Sequence, residues 1–243
     1  MSRLVVASFL LFVTALANAA EVKVAVAANF TAAMKEIAAA FAAATDHTAL
    51  VSYGSTGKLY AQIQNGAPFD LFLAADQKRP RLLHEQGVAD APFTYAIGKL
   101  VLWSSDPALV DRDGAVLESG GFERLAIANP KTAPYGAGAM QVMTALGVLD
   151  RLEAKLVRGD NIAQTYQFVS TGNAQLGFVA LSQVALAEGG SRWIPPQSLY
   201  DPIRQDAVLL ANGRDNAAAQ AFLEFLRGPV ARDITLKYGY AVE

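Results

Sequence analysis

The sequence predicts an α/β protein of two lobes, each built on a mainly parallel sheet flanked by helices. Short apolar strands alternate with amphipathic helices from residue 21 to 87, and the same β-α-β-α-β-α pattern returns from 125 to 188. Such alternation is typical of a parallel sheet covered by helices. Extended segments near 98–104 and 204–210 link the two sets and predict hinged closure over a cleft. We therefore expect a first lobe of residues 21–100 plus 207–243 and a second lobe of 101–206.

The N-terminus is predicted to be a secretory signal peptide of residues 1–20. Arg3 precedes an apolar run from Leu4 to Leu16, and Ala17-Asn18-Ala19 is a small-x-small cleavage pattern. The apolar run is too short for a membrane span. We expect cleavage after Ala19 or Ala20 and export from the cytoplasm.

Composition disfavours several classes of function. The formal net charge is −2, which argues against a nucleic-acid-binding surface. The chain has no cysteine and only two histidines, His47 and His84. Disulfides and thiol catalysis are thus impossible, and a histidine metal site or a Ser-His-Asp triad is disfavoured.

The first lobe opens with a buried strand over 22–27, followed by a helix whose apolar residues share one face. Those residues are Phe30, Met34, Ile37 and Phe41, and Asn29 is a plausible cap. A further strand over 69–74 contains Asp70, for which we expect a structural role, and Asp76 is expected to cap the next helix.

A second strand, Leu50 to Tyr53, leads into Gly54-Ser55-Thr56-Gly57 and then into a helical pattern. Glycines and hydroxyls at a helix start can form an anion site, because free N–H groups and the helix dipole meet there. An ordinary capped helix explains the same residues. The spacing fits neither a nucleotide P-loop nor a nucleophile elbow.

The second lobe repeats this plan. Strands are expected over 125–128, 156–158 and 176–180, with helices after a proline-rich turn at 129–136, from Ile162 to Val169, and from Ser182 to Glu188. A returning strand over 204–210 leads to a helix capped by Asp215 and ended by Gly228. Pro229 suits the first position of the last helix.

Several short runs in register resemble the molybdate-binding proteins of periplasmic ABC importers. The resemblance covers the chain after the signal peptide, and its motifs are Ala27-Ala28-Asn29-Phe30, Gly54-Ser55-Thr56-Gly57, Asn65-Gly66-Ala67-Pro68-Phe69-Asp70-Leu71-Phe72, Ala74-Ala75-Asp76-Gln77-Lys78, Arg227-Gly228-Pro229 and Tyr238-Gly239-Tyr240.

The resemblance implies a two-lobed periplasmic binding protein of the Venus-flytrap kind, type II. It implies a monomer that captures molybdate or tungstate in the periplasm and delivers it to a membrane permease driven by a cytoplasmic ATPase. It implies no enzyme activity, no cofactor and no direct metal coordination, since the metal arrives as its oxyanion. A receptor for another tetrahedral oxyanion such as sulfate remains the main alternative, and an extracytoplasmic enzyme is a more distant one.

The resemblance also implies a set of ligand-binding residues from both lobes. Backbone and side-chain donors are expected at Asn29, a hydroxyl at Thr56 where relatives have serine, and a phenol at Tyr135. Some family members donate instead from a tyrosine at the position of Ala180. The implied set is Ala28, Asn29, Ser55, Thr56, Tyr135 and Ile162.

Overall fold

The computed structural model describes residues 20–243 and contains two five-stranded sheets. The expected signal peptide therefore lies, except for Ala20, outside the described residues. Within residues 20–243, no helix combines the length and the apolar character that crossing a membrane requires.

The first sheet has the strand order β2-β1-β3-β10-β4. Its neighbours β2, β1 and β3 run parallel, whereas β10 is antiparallel to both β3 and β4. The strands are β1 Glu21–Ala27, β2 Thr48–Gly54, β3 Leu71–Leu73, β4 Phe93–Gly98 and β10 Ile203–Leu209.

Helices cover both faces of this sheet and enclose two apolar clusters. The helix predicted after β1 buries Met34, Ile37 and Phe41 as expected, and a 3₁₀ turn, Ala28–Phe30, precedes it. The helices are α1 Thr31–Thr45, α2 Thr56–Gln64, α3 Lys78–Glu85, α9 Ala217–Arg227 and α10 Pro229–Lys237.

The second sheet repeats the topology with the order β7-β6-β8-β5-β9. Here β7, β6 and β8 run parallel, and β5 is antiparallel to β8 and β9. The strands are β5 Leu100–Ser104, β6 Leu125–Ala128, β7 Leu156–Gly159, β8 Leu176–Ala180 and β9 Ser191–Trp193. The helices are α4 Val116–Ser119, α5 Pro134–Ala145, α6 Leu149–Leu152, α7 Ile162–Ser170 and α8 Leu181–Val184.

The chain crosses between the sheets at two places. Lys99 separates β4 in the first sheet from β5 in the second, inside the segment expected to be a hinge. The return lies between β9 and Ile203, because all of β10 pairs with strands of the first sheet. The lobe boundaries remain a prediction, and the pairing of β10 would place the second one before Ile203 instead of at 206/207.

Two local predictions need correction. The helix predicted over 182–188 is the shorter α8, Leu181–Val184; Gly189 and Gly190 then adopt positive φ, where the chain turns into the unpredicted β9. The cap of α9 is Asn216, which accepts from the N–H of Ala218, and not Asp215. Two other predictions agree with the structure. The Asp76 side chain caps the start of α3, since it accepts from the N–H of Arg79 at 3.0 Å, whereas Gln77, directly before the helix, makes no capping bond. Asp70 has the expected structural role, since it accepts from the N–H of Lys23 at 2.7 Å.

Candidate ligand-binding site

The six residues expected to bind the ligand line one small cavity between the two sheets. The part of the chain around the first sheet, called the first half below, contributes two turns to its walls. The part around the second sheet, called the second half, contributes two helix starts. The lining consists of Ala27, Ala28, Asn29, Gly54, Ser55, Thr56, Ala75, Ala133, Pro134, Tyr135 and Ile162.

Strand pairing explains how these residues meet. Ala27 pairs with Gly54 at the carboxyl ends of β1 and β2, so the turns that follow both strands lie side by side. In the second sheet, Ala128 pairs with Gly159 at the ends of β6 and β7. Ligands of open α/β sheets bind at this edge of the strands, and here the edges of both sheets face each other.

The first N–H groups of a helix lack an intrahelical partner. The start of α2 presents Thr56, and the start of α7 presents Ile162. In residues 20–243, the N–H groups of Asn29, Thr56 and Ile162 donate to no backbone carbonyl outside their own elements. The cavity is thus bordered by free backbone donors.

Ser55 and Thr56 bring two hydroxyls to this wall. Both residues are buried, with 3% and 1% of their surface exposed. Thr56 Oγ1 accepts from the N–H of Ala75 at 3.0 Å, which leaves its proton available to donate. Ser55 Oγ has no hydrogen-bond partner among the residues that the structure describes. A buried hydroxyl without a partner costs free energy and is uncommon, so a ligand is the natural partner here.

Tyr135 lies in the first turn of α5, directly after Pro134 at the first helical position. Gln205 Nε2 donates to its phenol oxygen at 3.4 Å. Burial raises the pKa of Tyr135 well above its ordinary value, and the neighbouring Tyr240 and Tyr95 act in the same direction. The phenol therefore keeps its proton and can act as a donor.

The side chain of Asn29 is placed differently from the expectation. Its Nδ2 donates to Gln205 Oε1 at 2.7 Å and to the Tyr240 hydroxyl at 3.0 Å. The side-chain amide is thus engaged beneath the cavity, and the backbone N–H of Asn29 is the donor left for a ligand. The carbonyl of Asn29 accepts from Ser182 Oγ, which belongs to the other half, at 2.9 Å.

No lysine, arginine, histidine or carboxylate belongs to the described lining of the cavity. Charged residues lie further out and bridge the two halves. Lys58 pairs with Asp160 at 2.9 Å, and Arg79 donates to the carbonyl of Lys131 at 3.2 Å. Among residues 20–243, no group of three or more carboxylates and histidines is arranged to hold a metal ion.

Direct backbone contact also closes the two halves over the cavity. The N–H of Gly57 donates to the carbonyl of Thr132 at 2.8 Å. A Cβ at Gly57 would lie 3.0 Å from Thr132 Cα, so this close approach depends on glycine.

Two residues beneath the cavity were missed from the sequence: Gln205 and Tyr240. Gln205 is a fully buried polar residue in the apolar strand β10, and that contrast was the available signal. Tyr240 belongs to the C-terminal motif of the resemblance, but nothing in its local sequence indicates a hydrogen bond to Asn29.

A family model described as "Bacterial extracellular solute-binding protein" matches residues 22–241. The chain is 56% identical to the molybdate-binding protein ModA of Azotobacter vinelandii, over 100% of this chain and 98% of that protein. It is 30% identical to ModA of Escherichia coli strain K12, over 97% and 95% of the two chains.

Solved structures agree with these sequence matches. The periplasmic molybdate-binding protein of Azotobacter vinelandii has a TM-score of 0.88 and 44% identity, covering 91% of this chain and 99% of that chain. The sulfate-binding protein SubI of Mycobacterium tuberculosis, with a TM-score of 0.72 and 14% identity, covers 91% and 86% and shows the shared fold alone. The fold is thus that of the type II periplasmic binding proteins, and the chain belongs to the bacterial extracellular solute-binding protein family, with ModA proteins as its full-length relatives.

Proposed function

We propose that this chain is the extracytoplasmic receptor of an ABC importer and binds molybdate or tungstate as an intact oxyanion in the cavity between its halves. The ligand-binding residues would be Ala28, Asn29, Ser55, Thr56, Tyr135 and Ile162. The unpartnered hydroxyl of Ser55 carries this proposal, because it is a buried donor with no other acceptor among the described residues.

Molybdate and tungstate are tetrahedral dianions that offer acceptors and no protons at neutral pH. The cavity wall offers backbone N–H groups, two hydroxyls and one protonated phenol. Hydrogen bonds to a charged group contribute roughly 1.5–3 kcal/mol each. Several of them can outweigh the cost of removing the dianion from water.

Helix N-termini supply the positive potential that charged side chains do not. Each carries about half an elementary charge. The turn before α1 and the starts of α2, α5 and α7 all border the cavity. The summed partial charges of these N-termini offset much of the charge of a dianion. Binding therefore does not require a buried cationic side chain, which would lack a counter-ion in the unliganded protein.

Selectivity among anions would follow from the protonation state of the anion and from its size. Hydrogen phosphate carries a donor, and no carboxylate lines the cavity to accept from it. Sulfate has the right charge but is smaller, so its hydrogen bonds would be stretched. Tungstate nearly matches molybdate in size, and we expect both to bind.

A binding role fits this site better than catalysis. Ser55 Oγ has no base within hydrogen-bond distance in the described chain, and no histidine lines the cavity. A nucleophilic serine requires such a base. We propose that the protein works as a periplasmic monomer, without a cofactor, and passes its ligand to a membrane permease with a cytoplasmic ATPase.

Thermal unfolding with each of four anions tests the proposed function. A ligand that binds only the native state raises the melting temperature. We expect molybdate and tungstate to raise it at concentrations where sulfate and phosphate do not. A larger shift with sulfate would support the alternative oxyanion receptor, and no shift with any of the four would reject the proposal.

The variant Thr56→Asp tests whether the anion binds in this cavity. A carboxylate at this buried position would face the dianion, so calorimetry should detect no molybdate binding while the circular dichroism spectrum stays unchanged. Near-normal affinity would remove Thr56 from the site.

A further inference from the structure

Gln205 is a fully buried polar residue of β10 that is not one of the six proposed ligand-binding residues. The pairing register of β10 with β4 shifts between Gln205 and Asp206. Such an irregularity re-aims side chains, and bulges are common next to functional sites. Gln205 is turned toward Asn29, Tyr95 and Tyr135.

The oxygen of the Gln205 amide is fixed by a donor from its own half. Asn29 Nδ2 donates to Oε1 at 2.7 Å, whereas the Tyr95 hydroxyl, 3.3 Å from Oε1, has a shorter acceptor in the Ala74 carbonyl at 3.1 Å. With the oxygen held there, the amide nitrogen must point the other way. Its partner is the phenol oxygen of Tyr135 at 3.4 Å.

This contact crosses from one half of the molecule to the other. Gln205 lies in the first sheet, and Tyr135 lies on α5 against the second sheet. Gly98, at the end of β4, leaves room for it: a Cβ there would overlap the Tyr135 hydroxyl and lie 2.7 Å from Gln205 Nε2.

A phenol has one proton and accepts through its oxygen. A donor on that oxygen directs the proton elsewhere. The Tyr240 hydroxyl also lies close enough to accept from Tyr135. It accepts from Asn29 Nδ2 at 3.0 Å, and its own proton has two acceptors in reach, the Asn29 carbonyl at 2.7 Å and Ser182 Oγ at 2.9 Å. Gln205 Nε2 donates to the Tyr135 oxygen, so the phenol proton points away from Gln205. A bound oxyanion, as a charged acceptor, competes for that proton better than the neutral Tyr240 hydroxyl does.

We propose that Gln205 is a positioning residue for oxyanion binding: it orients the Tyr135 hydroxyl as a donor into the cavity when the halves close. This inference rests on the proposed function, because it assigns the Tyr135 proton to the bound anion. Gln205 itself makes no contact with the ligand.

A double-mutant cycle with molybdate, measured by titration calorimetry, tests the proposal. Tyr135→Phe removes the hydroxyl and should weaken binding by about 10- to 100-fold, the usual effect of losing a hydrogen bond to a charged group. Gln205→Met, of similar volume, should weaken binding about 10-fold when Tyr135 is present. In the Tyr135→Phe background, the same change should cost less than about 2-fold.

The apo melting temperature separates orientation from stability. Gln205→Met removes one of the two acceptors of Asn29 Nδ2, so it should lower the melting temperature similarly in both backgrounds. If Gln205 were merely structural, its effect on affinity would also be equal in both backgrounds, and that result would overturn the proposal.

Gly98→Ala provides a second route if Gln205→Met fails to fold. The added methyl displaces the Tyr135 hydroxyl from Gln205 and changes no hydrogen-bonding group. We expect weaker molybdate binding with Tyr135 present and a smaller loss in the Tyr135→Phe background. Equal losses in both backgrounds would contradict the proposal.

The same measurements distinguish a failure of the positioning role of Gln205 from a failure of the proposed function. If the wild-type protein binds molybdate and Tyr135→Phe weakens it without coupling to Gln205, the positioning role is wrong and the proposed function stands. If the wild-type protein shows no binding, both are overturned.

Discussion

Ser55 shows how a single side chain can point to a ligand. Its hydroxyl is buried beside free backbone N–H groups, yet it has no protein partner in the described chain. Thr132 also has a buried hydroxyl without a partner, but it does not belong to the cavity lining. Ser55 and Thr132 therefore offer a controlled comparison between a buried hydroxyl that lines the cavity and one that does not.

We predict that Ser55→Ala weakens molybdate binding by about 1.5–3 kcal/mol, the usual contribution of a hydrogen bond to a charged group. The unliganded protein should not lose stability, because the removed hydroxyl bonds to nothing in it. Calorimetry and urea unfolding measure the two effects. Thr132→Val is the control and should bind normally; a loss in both variants would refute the specific role of Ser55.

At the scale of elements, the site depends on where helices begin. The second-half donors Tyr135 and Ile162 are held by Pro134 at the start of α5 and by the Asn161 cap of α7. Caps of this kind decide the position of the first N–H groups. Sequence reasoning placed the start of α7 correctly at Ile162, but it assigned residues 129–136 to a turn and so began α5 three residues late, and it placed the cap of α9 one residue early.

We predict that Asn216→Ala lowers the free energy of unfolding by about 0.5–2 kcal/mol, the usual effect of losing an N-cap. Asn216 accepts from the N–H of Ala218 and donates to the carbonyl of Glu21. Asp215→Ala is the matched control and should change stability by less than about 0.5 kcal/mol. Urea unfolding checks both, and the reverse order would restore Asp215 as the cap.

At the scale of the whole molecule, the proposed ligand-binding cavity lies where the two halves contact each other. The ion pair of Lys58 with Asp160 bridges them, but both side chains are more than half exposed. Exposed pairs contribute little. The close backbone approach of Gly57 to Thr132 is the contact on which closure depends more strongly.

We predict that Gly57→Ala weakens molybdate binding, with overpacking costing the closed state about 1–3 kcal/mol. The same change should leave the unliganded protein as stable or more stable, since alanine favours a helix over glycine by up to about 1 kcal/mol. The expected outcome is a lower affinity for molybdate together with an unchanged or higher stability of the unliganded protein. Unchanged affinity would show that closure tolerates the methyl.

Alkaline pH is predicted to destabilise the whole fold. Burial raises the pKa of Tyr95, Tyr135 and Tyr240 in the folded state above the ordinary value of about 10. Because the folded state holds these protons more tightly than the unfolded state, this stability is fully present below about pH 10 and is lost at higher pH.

Urea unfolding at about pH 8 and about pH 11 measures this loss. The decline between the two pH values should be smaller in Tyr240→Phe than in the wild type, because one buried titrating group is gone. An equal decline in both proteins would assign the effect to other groups.

The sequence by itself determined the fold class, the strand-to-helix turns and six residues that come together around one cavity. These features depend on local signals: apolar periodicity, glycines and hydroxyls at helix starts, and motifs in register with known relatives. Strand β9 was not predictable, because its three residues show no periodicity and its partner strand β5 is far away in sequence. Tertiary structure alone decided what surrounds each donor. The Asn29 amide bonds to Gln205 and Tyr240, which are far away in sequence, so its engagement beneath the cavity could be known only once both sheets were assembled.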